Sequence, residues 1–418
     1  MYDDWVEMNV PEFFLGSGER HIWKLDGTTI VKWARENLSR YRKVKRTFVG
    51  GSSAGAYITA MLAFAPGYLG ANDNCTCLRW KGEWMMSKYT ADTKFGEVFD
   101  EPVFDGWQHM LDFRRDDSDD WLEKLTFAEM EERTNGTWSA RKIMEGCNYL
   151  YDCVQKEQVF FSYWNEEEMA ACPARCLTGL AAFPLAGKSK FAVICPGGGY
   201  GAVCALLEGY PLAKKLNQMG YAAFVVGYRV GRVGLQPAPQ EDLAAAVRYI
   251  LGHAEAFRLD TEDYAVIGFS AGAHLAGSFG IQNIGYGKYH LPKPGVMFLG
   301  YPVITMGEMA HAGSRENFLG KENADDKGLQ EKYSLEKHVT REYPSTFLWQ
   351  CDGDDLVPCA NSQLMAKALE TYNVPCCYEV YHYPTHGLCE DVDDYAQKWL
   401  ERAVEFWENV GRYHNADK

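Results

Sequence analysis

One stretch constrains this chain more than any other: Tyr264-Ala-Val-Ile-Gly-Phe-Ser-Ala-Gly-Ala-His-Leu-Ala-Gly-Ser278. Its first residues, through Gly268, form a short apolar run of the kind buried on both faces of a parallel sheet. Its last residues are rich in Ala and Leu and suit a helix. A chain that passes from strand to helix within a few residues crowds its own backbone at the turn, and Gly268, Ala271 and Gly272 leave room for it. The unit therefore reads as strand, tight elbow and helix, with Ser270 at the apex.

The elbow has company. Further apolar runs occur at Phe191 to Cys195, Tyr221 to Tyr228, Val296 to Gly300, Thr346 to Cys351 and Cys377 to Tyr381. Between them, Leu243, Val247, Ile250, Leu251 and Ala254 recur at helical spacing, as do Ala396, Trp399, Leu400, Ala403 and Trp407. Alternating strands and helices imply an α/β architecture, a doubly wound and mostly parallel sheet flanked by helices and joined by right-handed crossovers. Residues 306–343 break the rhythm. They are rich in charge and Gly, and read as an irregular insertion, either a cap above the strand ends or an ordinary surface loop.

The 418 residues leave room for more than this sheet. Thr29 to Leu38 has a helical apolar face and Thr47-Phe48-Val49 is a short strand. Gly51-Ser52-Ser53-Ala54-Gly55-Ala56 then matches Gly268-Phe269-Ser270-Ala271-Gly272-Ala273. So helix, strand and elbow occur twice, and we divide the chain into a partial copy over 1–92, an extension over 93–155 with an acidic run (Asp116, Asp117, Asp119, Asp120), and a main domain over 156–418.

G-x-S-x-G on a strand-to-helix turn lifts the serine Oγ above the carboxyl edge of the sheet and aims helix N–H groups toward it. The competing reading, a Gly-rich turn with an incidental serine, is weakened by the strand before it and the helix after it. A serine hydroxyl attacks only when a base takes its proton. Asp354 and Asp355, in the turn after Thr346 to Cys351, can each orient such a base, with Asp354 favoured. His386, in the loop after Cys377 to Tyr381, is the expected base, while His382 at the strand end reads as structural. Gly198 and Gly199, in Pro196-Gly-Gly-Gly-Tyr200 after the first strand, are the expected oxyanion donors, joined by the N–H of Ala271. A glycine loop can instead cradle phosphate, but neither a G-x-x-x-x-G-K-[ST] nor a placed G-x-G-x-x-G is present, so a nucleotide site is set aside.

These segments together resemble the esterase/lipase branch of the α/β-hydrolase superfamily. Within it they are most similar to bacterial acetyl esterases related to acetyl xylan and feruloyl esterases. The resemblance rests on CPGGGYGAV, EGYPLAKKLNQMGYAAFVVGYRVG, PAPQEDLAAAVRYI, YAVIGFSAGAHLAGS, GYPVIT, GSRENFLG, DGDDLVPCANS and YPTHG, in that order over roughly residues 156–411. It implies an α/β-hydrolase fold with Ser270 as nucleophile, Asp354 as acid, His386 as base, and Gly198 and Gly199 in the oxyanion loop. It implies hydrolysis of short-acyl esters, acetyl esters first, with small molecules or oligosaccharides as the alcohol. The alternatives are a peptidase of the same fold or a noncatalytic binding protein that keeps it. Two positions depart from the family: Pro196 opens the oxyanion loop, and Gln350 stands two before Asp352, where His is frequent in each case. FVGGSSAGAYITAMLAF resembles a second elbow of the same superfamily, but no glycine loop precedes Ser53 and no strand-separated acid and histidine follow it, so Ser53 reads as a remnant or packing element.

Composition removes other classes. A formal net charge of −15 repels phosphate backbones and anionic lipid, so neither nucleic acid nor membrane is expected as a partner. The start MYDDWVEMNV lacks the apolar core of a signal peptide, and no run approaches a membrane span. The 13 cysteines, an odd number lying mostly in apolar runs such as those of Cys195, Cys351, Cys376 and Cys377, read as buried reduced thiols of a cytoplasmic protein. No metal or organic cofactor is implied, and a homo-oligomer stays open.

Overall fold

The computed structural model describes residues 87–112, 121–231, 233–388 and 392–413. The expected second elbow at Ser53, nearly all of the 1–92 segment and the acidic run at Asp116 to Asp120 lie outside the described residues.

In chain order, the longer helices and the strands are α1 (Ala140–Val154), β1 (Phe160–Phe161), β2 (Gly179–Phe183), β3 (Ser189–Cys195), α2 (Tyr210–Gln218), β4 (Ala222–Gly227), α3 (Ala238–Gly252), β5 (Leu259–Phe269), α4 (Ser270–Phe279), β6 (Val296–Gly300), α5 (Ala312–Leu319), α6 (Lys327–Tyr333), β7 (Ser345–Cys351), α7 (Ala360–Thr371), β8 (Cys376–Tyr381) and α8 (Trp399–Tyr413). The eight strands form one sheet in the order β1-β2-β4-β3-β5-β6-β7-β8. From β4 to β8 every neighbouring pair is parallel, while β1 and β2 run antiparallel at the other end.

The apolar runs become strands because nearly all of their side chains face protein on both sides: β4, β6 and β7 are buried along their whole length. Register then lines up their carboxyl ends. Cys195 of β3 is paired with Gly268 of β5, Phe269 with Gly300 of β6, Gly300 with Trp349 of β7, and Cys351 with Tyr381 of β8. The loops that follow these residues emerge along one edge of the sheet, where ligand sites of open α/β sheets lie. Among the described residues, no helix is long and apolar enough to cross a membrane.

Two expectations change. The cysteines of β8 are not core residues: Cys195 and Cys351 are buried, but Cys376 and Cys377 are only half-buried because β8 is an edge strand. The insertion over 306–343 is not irregular. It folds into α5 and α6, each started by a side-chain cap, His311 accepting from Ser314 N–H and Asp326 accepting from Leu329 N–H. Helices this short carry no long apolar stripe, so periodicity could not show them. Helix α1 belongs to a helical segment packed against the sheet. Its Ile143, Cys147 and Leu150, with Phe95, Phe104 and Phe127 before it, share one apolar core with the strands. A Cβ at Gly146 of α1 would meet the Pro211 ring of α2 at 2.7 Å, a measure of how closely the two helices approach.

Candidate active site

Ser270 sits at the β5–α4 junction with φ +51°, a left-handed conformation that a non-glycine residue holds only when its surroundings enforce it. The surroundings are backbone. A Cβ at Gly272 would overlap the carbonyl oxygens of Cys195 and Pro196, so the first turn of α4 lies directly on the end of β3. Val303 N–H, in the loop after β6, donates to the Ser270 carbonyl at 3.0 Å.

The loops after β7 and β8 bring the other two groups to the serine. Ser270 Oγ lies 3.0 Å from His386 Nε2, and His386 Nδ1 lies 2.8 Å from Asp354 Oδ2. Asp354 is pinned on both oxygens. Oδ1 accepts from Leu356 N–H (3.0 Å) and Val357 N–H (2.9 Å), and Oδ2 accepts from Gln350 Nε2 (3.1 Å) as well as from the histidine. Its side chain has no solvent exposure and that of His386 is 15% exposed. A buried acceptor-only carboxylate requires a proton on His386 Nδ1. That leaves Nε2 with a lone pair to accept the hydrogen bond of the Ser270 hydroxyl. Asp355 is exposed and takes no part, and His382 pairs with Asp352 at the surface (2.7 Å).

The glycine loop arches beside the serine. Gly198 and Gly199 both have positive φ, +125° and +62°. A Cβ at Gly198 would come within 2.5 Å of the Ala202 carbonyl oxygen, so only glycine fits this tight return. The Gly198 carbonyl is occupied by the N–H groups of Gly201 and Ala202, both at 3.0 Å. No protein acceptor takes the N–H of Gly198, Gly199 or Ala271 among the described residues. Unoccupied donors near a nucleophile are what a developing oxyanion requires.

The insertion reaches this loop. Asn317 Nδ2 of α5 donates to the Gly199 carbonyl at 2.9 Å. His311, at the start of α5, is half-buried, with Nδ1 2.8 Å from Ser314 Oγ and its ring beside Gly199. Burial, reinforced by the nearby His386, holds its pKa below the usual histidine range. Under the elbow, His274 is fully buried between Tyr200 Oη (2.7 Å) and the Tyr333 carbonyl (2.8 Å), which ties α4 to the glycine loop and to α6. Sequence reasoning did not single out His311, Asn317, His274, Tyr301 or Glu208 as parts of the site. Glu208 left one visible signal, a lone carboxylate closing the apolar run Ala202-Val-Cys-Ala-Leu-Leu.

Sheet order, elbow and converging loops define an α/β-hydrolase. A family model described as BD-FAE matches residues 186–289, from β3 through α4. An acetyl ester-xyloside bifunctional hydrolase from Caldicellulosiruptor lactoaceticus superposes with a TM-score of 0.53 at 30% identity, over 60% of this chain and 96% of that one. Two curated relatives are an endo-1,4-beta-xylanase B of Butyrivibrio fibrisolvens (34% identical over 51% of this chain) and an acetylxylan esterase of Xylanibacter ruminicola (32% identical over 46%). The chain spans only 34% of the first and 40% of the second. The chain belongs to the α/β-hydrolase superfamily.

Proposed function

We propose that this protein is a serine carboxylester hydrolase that removes short acyl groups, acetyl first among them, from carbohydrate or other small-molecule alcohols through an acyl-enzyme. The observation that carries the reading is the unbroken chain from Ser270 Oγ through His386 to Asp354, set beside three unoccupied backbone donors. His386 Nε2 takes the hydroxyl proton as Ser270 Oγ bonds to the ester carbonyl carbon, and the carbonyl oxygen gathers charge against Gly198, Gly199 and Ala271. His386 returns the proton to the leaving alcohol as the ester C–O bond breaks. Water, deprotonated by the same nitrogen, then attacks the acyl-enzyme and releases the acid. Asp354 keeps the tautomer and balances the imidazolium.

The carbohydrate side of the reading draws on two similar proteins, one named as an acetylxylan esterase and one as an acetyl ester-xyloside hydrolase. The xylanase name of the other curated relative describes a protein of which this chain matches a third, and it is not carried over. The cytoplasmic setting belongs to the same proposal, supported by the thiols of Cys147, Cys195, Cys204 and Cys351 packed in the core. So does the division at 1–92, 93–155 and 156–418, with Ser53 as a silent copy of the elbow.

The test is hydrolysis of p-nitrophenyl acetate, longer acyl esters, acetylated xylo-oligosaccharides and an aminoacyl anilide by the full chain, beside Ser270→Ala and Ser53→Ala. Ester activity lost in Ser270→Ala and kept in Ser53→Ala is the expected result. The reverse pattern overturns the site, preference for the anilide points to a peptidase, and an inert wild type to a binding protein.

A further inference from the structure

Behind the glycine loop lies a carboxylate for which the two-step reaction has no use. The chain leaves Gly199, turns at Ala202 and enters a wide π-helical turn, Ala205–Gly209, before α2. Such turns concentrate at functional sites because the extra residue per turn redirects a side chain. Here it sends Glu208 inward. Glu208 Oε2 accepts the Gly197 N–H at 2.5 Å, and Oε1 accepts the Tyr301 Oη–H at 2.6 Å. The donors on its two oxygens come from two different loops, those after β3 and β6.

Each contact leads to a reacting group. Gly197 is packed so tightly against the elbow that a Cβ there would lie 2.9 Å from Ser270 Cβ and 3.1 Å from Glu208 Oε2. It is also the residue from which the loop rises to the donors of Gly198 and Gly199. Tyr301 is held in a left-handed conformation (φ +37°), with its N–H donating to the Trp349 carbonyl at 2.7 Å. Its ring meets the His386 ring edge to face, centroids 4.8 Å apart and planes at 76°. Among the described residues, no lysine or arginine pairs with Glu208. Burial pushes its carboxyl up, and Tyr301 and the Gly197 N–H oppose that shift.

We propose that Glu208 is a positioning residue that holds the oxyanion loop and the catalytic histidine in one frame, through the Gly197 N–H on one oxygen and the Tyr301 hydroxyl on the other. The inference rests on the hydrolase reading above. Glu208 touches no reacting atom. It fixes the distance between the group that supplies the proton path and the groups that receive the oxyanion. A carboxylate is suited to this because both of its oxygens accept, whereas an amide of the same shape accepts on one side only.

The experiment compares wild type, Glu208→Gln, Tyr301→Phe and the double variant. Labelling by a fluorophosphonate counts competent Ser270 hydroxyls, and kcat and KM are expressed per labelled site. The expected result is a fall in kcat of about 10- to 100-fold in Glu208→Gln, with KM changed by less than about threefold, since a displacement on the order of 1 Å costs that much in rate. Tyr301→Phe falls in the same direction by a smaller factor, and the double variant falls no further than Glu208→Gln, because both changes cut one linkage. A purely structural role would lower the labelled fraction and leave kcat per labelled site at the wild-type value, and that result overturns the proposal. If Glu208→Gln does not fold, Tyr301→Phe decides alone: unchanged kcat per site overturns it. A wild type that labels and turns over while both variants match it sinks this inference only. A wild type that neither labels nor hydrolyses esters sinks the hydrolase reading, and this inference with it.

Discussion

Asp354 receives the Nδ1–H of His386 at 2.8 Å on the same oxygen that accepts Gln350 Nε2. The acid is therefore oriented from two sides before any substrate arrives, and its other oxygen is closed by two backbone N–H groups.

The first prediction follows from that orientation. In Asp354→Asn the amide can present a donor to Nδ1, which would favour the wrong tautomer and leave Ser270 without a base. We expect kcat to fall by about 10³- to 10⁴-fold. Asp355→Asn, at an exposed position, should stay within about twofold of wild type. Steady-state kinetics on p-nitrophenyl acetate checks both, and an equal loss in the two variants would contradict the pairing.

Gln350 deserves its own variant because it is fully buried and makes three contacts, to Asp354, to the Val357 carbonyl at 2.7 Å and from Ser362 Oγ at 2.5 Å. Gln350→Leu keeps the volume and deletes all three. Leaving the Ser362 hydroxyl and the Val357 carbonyl unpaired should destabilise the fold by about 1–3 kcal/mol per group. Turnover should drop by roughly tenfold as Asp354 loses a support. Urea unfolding and kinetics on the same preparation read the two effects separately.

The glycine loop gives a steric contrast. Gly198→Ala places a methyl 2.5 Å from the Ala202 carbonyl at φ +125°, so the loop must move, and we expect kcat to fall by at least about 100-fold. At Gly199 a methyl meets nothing nearer than His311 Cε1 at 3.8 Å, and the remaining cost is the left-handed backbone, about 1–2 kcal/mol. Gly199→Ala should therefore fold and turn over substrate better than Gly198→Ala. The opposite order would remove Gly198 from the tight return we describe.

His274 should make stability sensitive to acid. Burial lowers its pKa to about 4, with the Tyr333 carbonyl opposing, against an ordinary value near 6.5. The folded state therefore binds its proton later than the unfolded chain does. The stability tied to neutral His274 is fully present above about pH 6.5 and is lost as pH falls toward 4, by on the order of 3 kcal/mol in total. His274→Gln, which cannot titrate, should show a flatter fall in melting temperature across that interval. Parallel melting curves for the two proteins between pH 7 and 4 check the sign.

Much of this was legible in the chain itself, for a physical reason. Strands of a parallel sheet are buried on both faces, so Phe191 to Cys195 or Val296 to Gly300 stand out as unbroken apolar runs, and the groups that follow them are fixed by topology. Ser270, Asp354 and His386 could be named because each follows such a run. Short elements at the margin were less visible. Gly179–Phe183 is five residues of weak strand propensity, and α1 interrupts its apolar face with Gly146. Glu208 and Tyr301 were hidden for another reason. Their roles depend on a π-helical turn and on a left-handed backbone at Tyr301, and neither conformation has a composition that announces it.

The contact of Asn317 with the Gly199 carbonyl has a consequence for how such a protein can diversify. The serine and its donors are placed by main-chain packing between β3, β5 and α4, which tolerates almost no change in volume. The wall above them is built from side chains of α5, carried on a stretch between β6 and β7 that contributes no strand to the sheet. Variation at His311 and Ser314, which lie beside Gly199, therefore reshapes the surface over the glycine loop while the backbone fit among β3, β5 and α4 stays as it is.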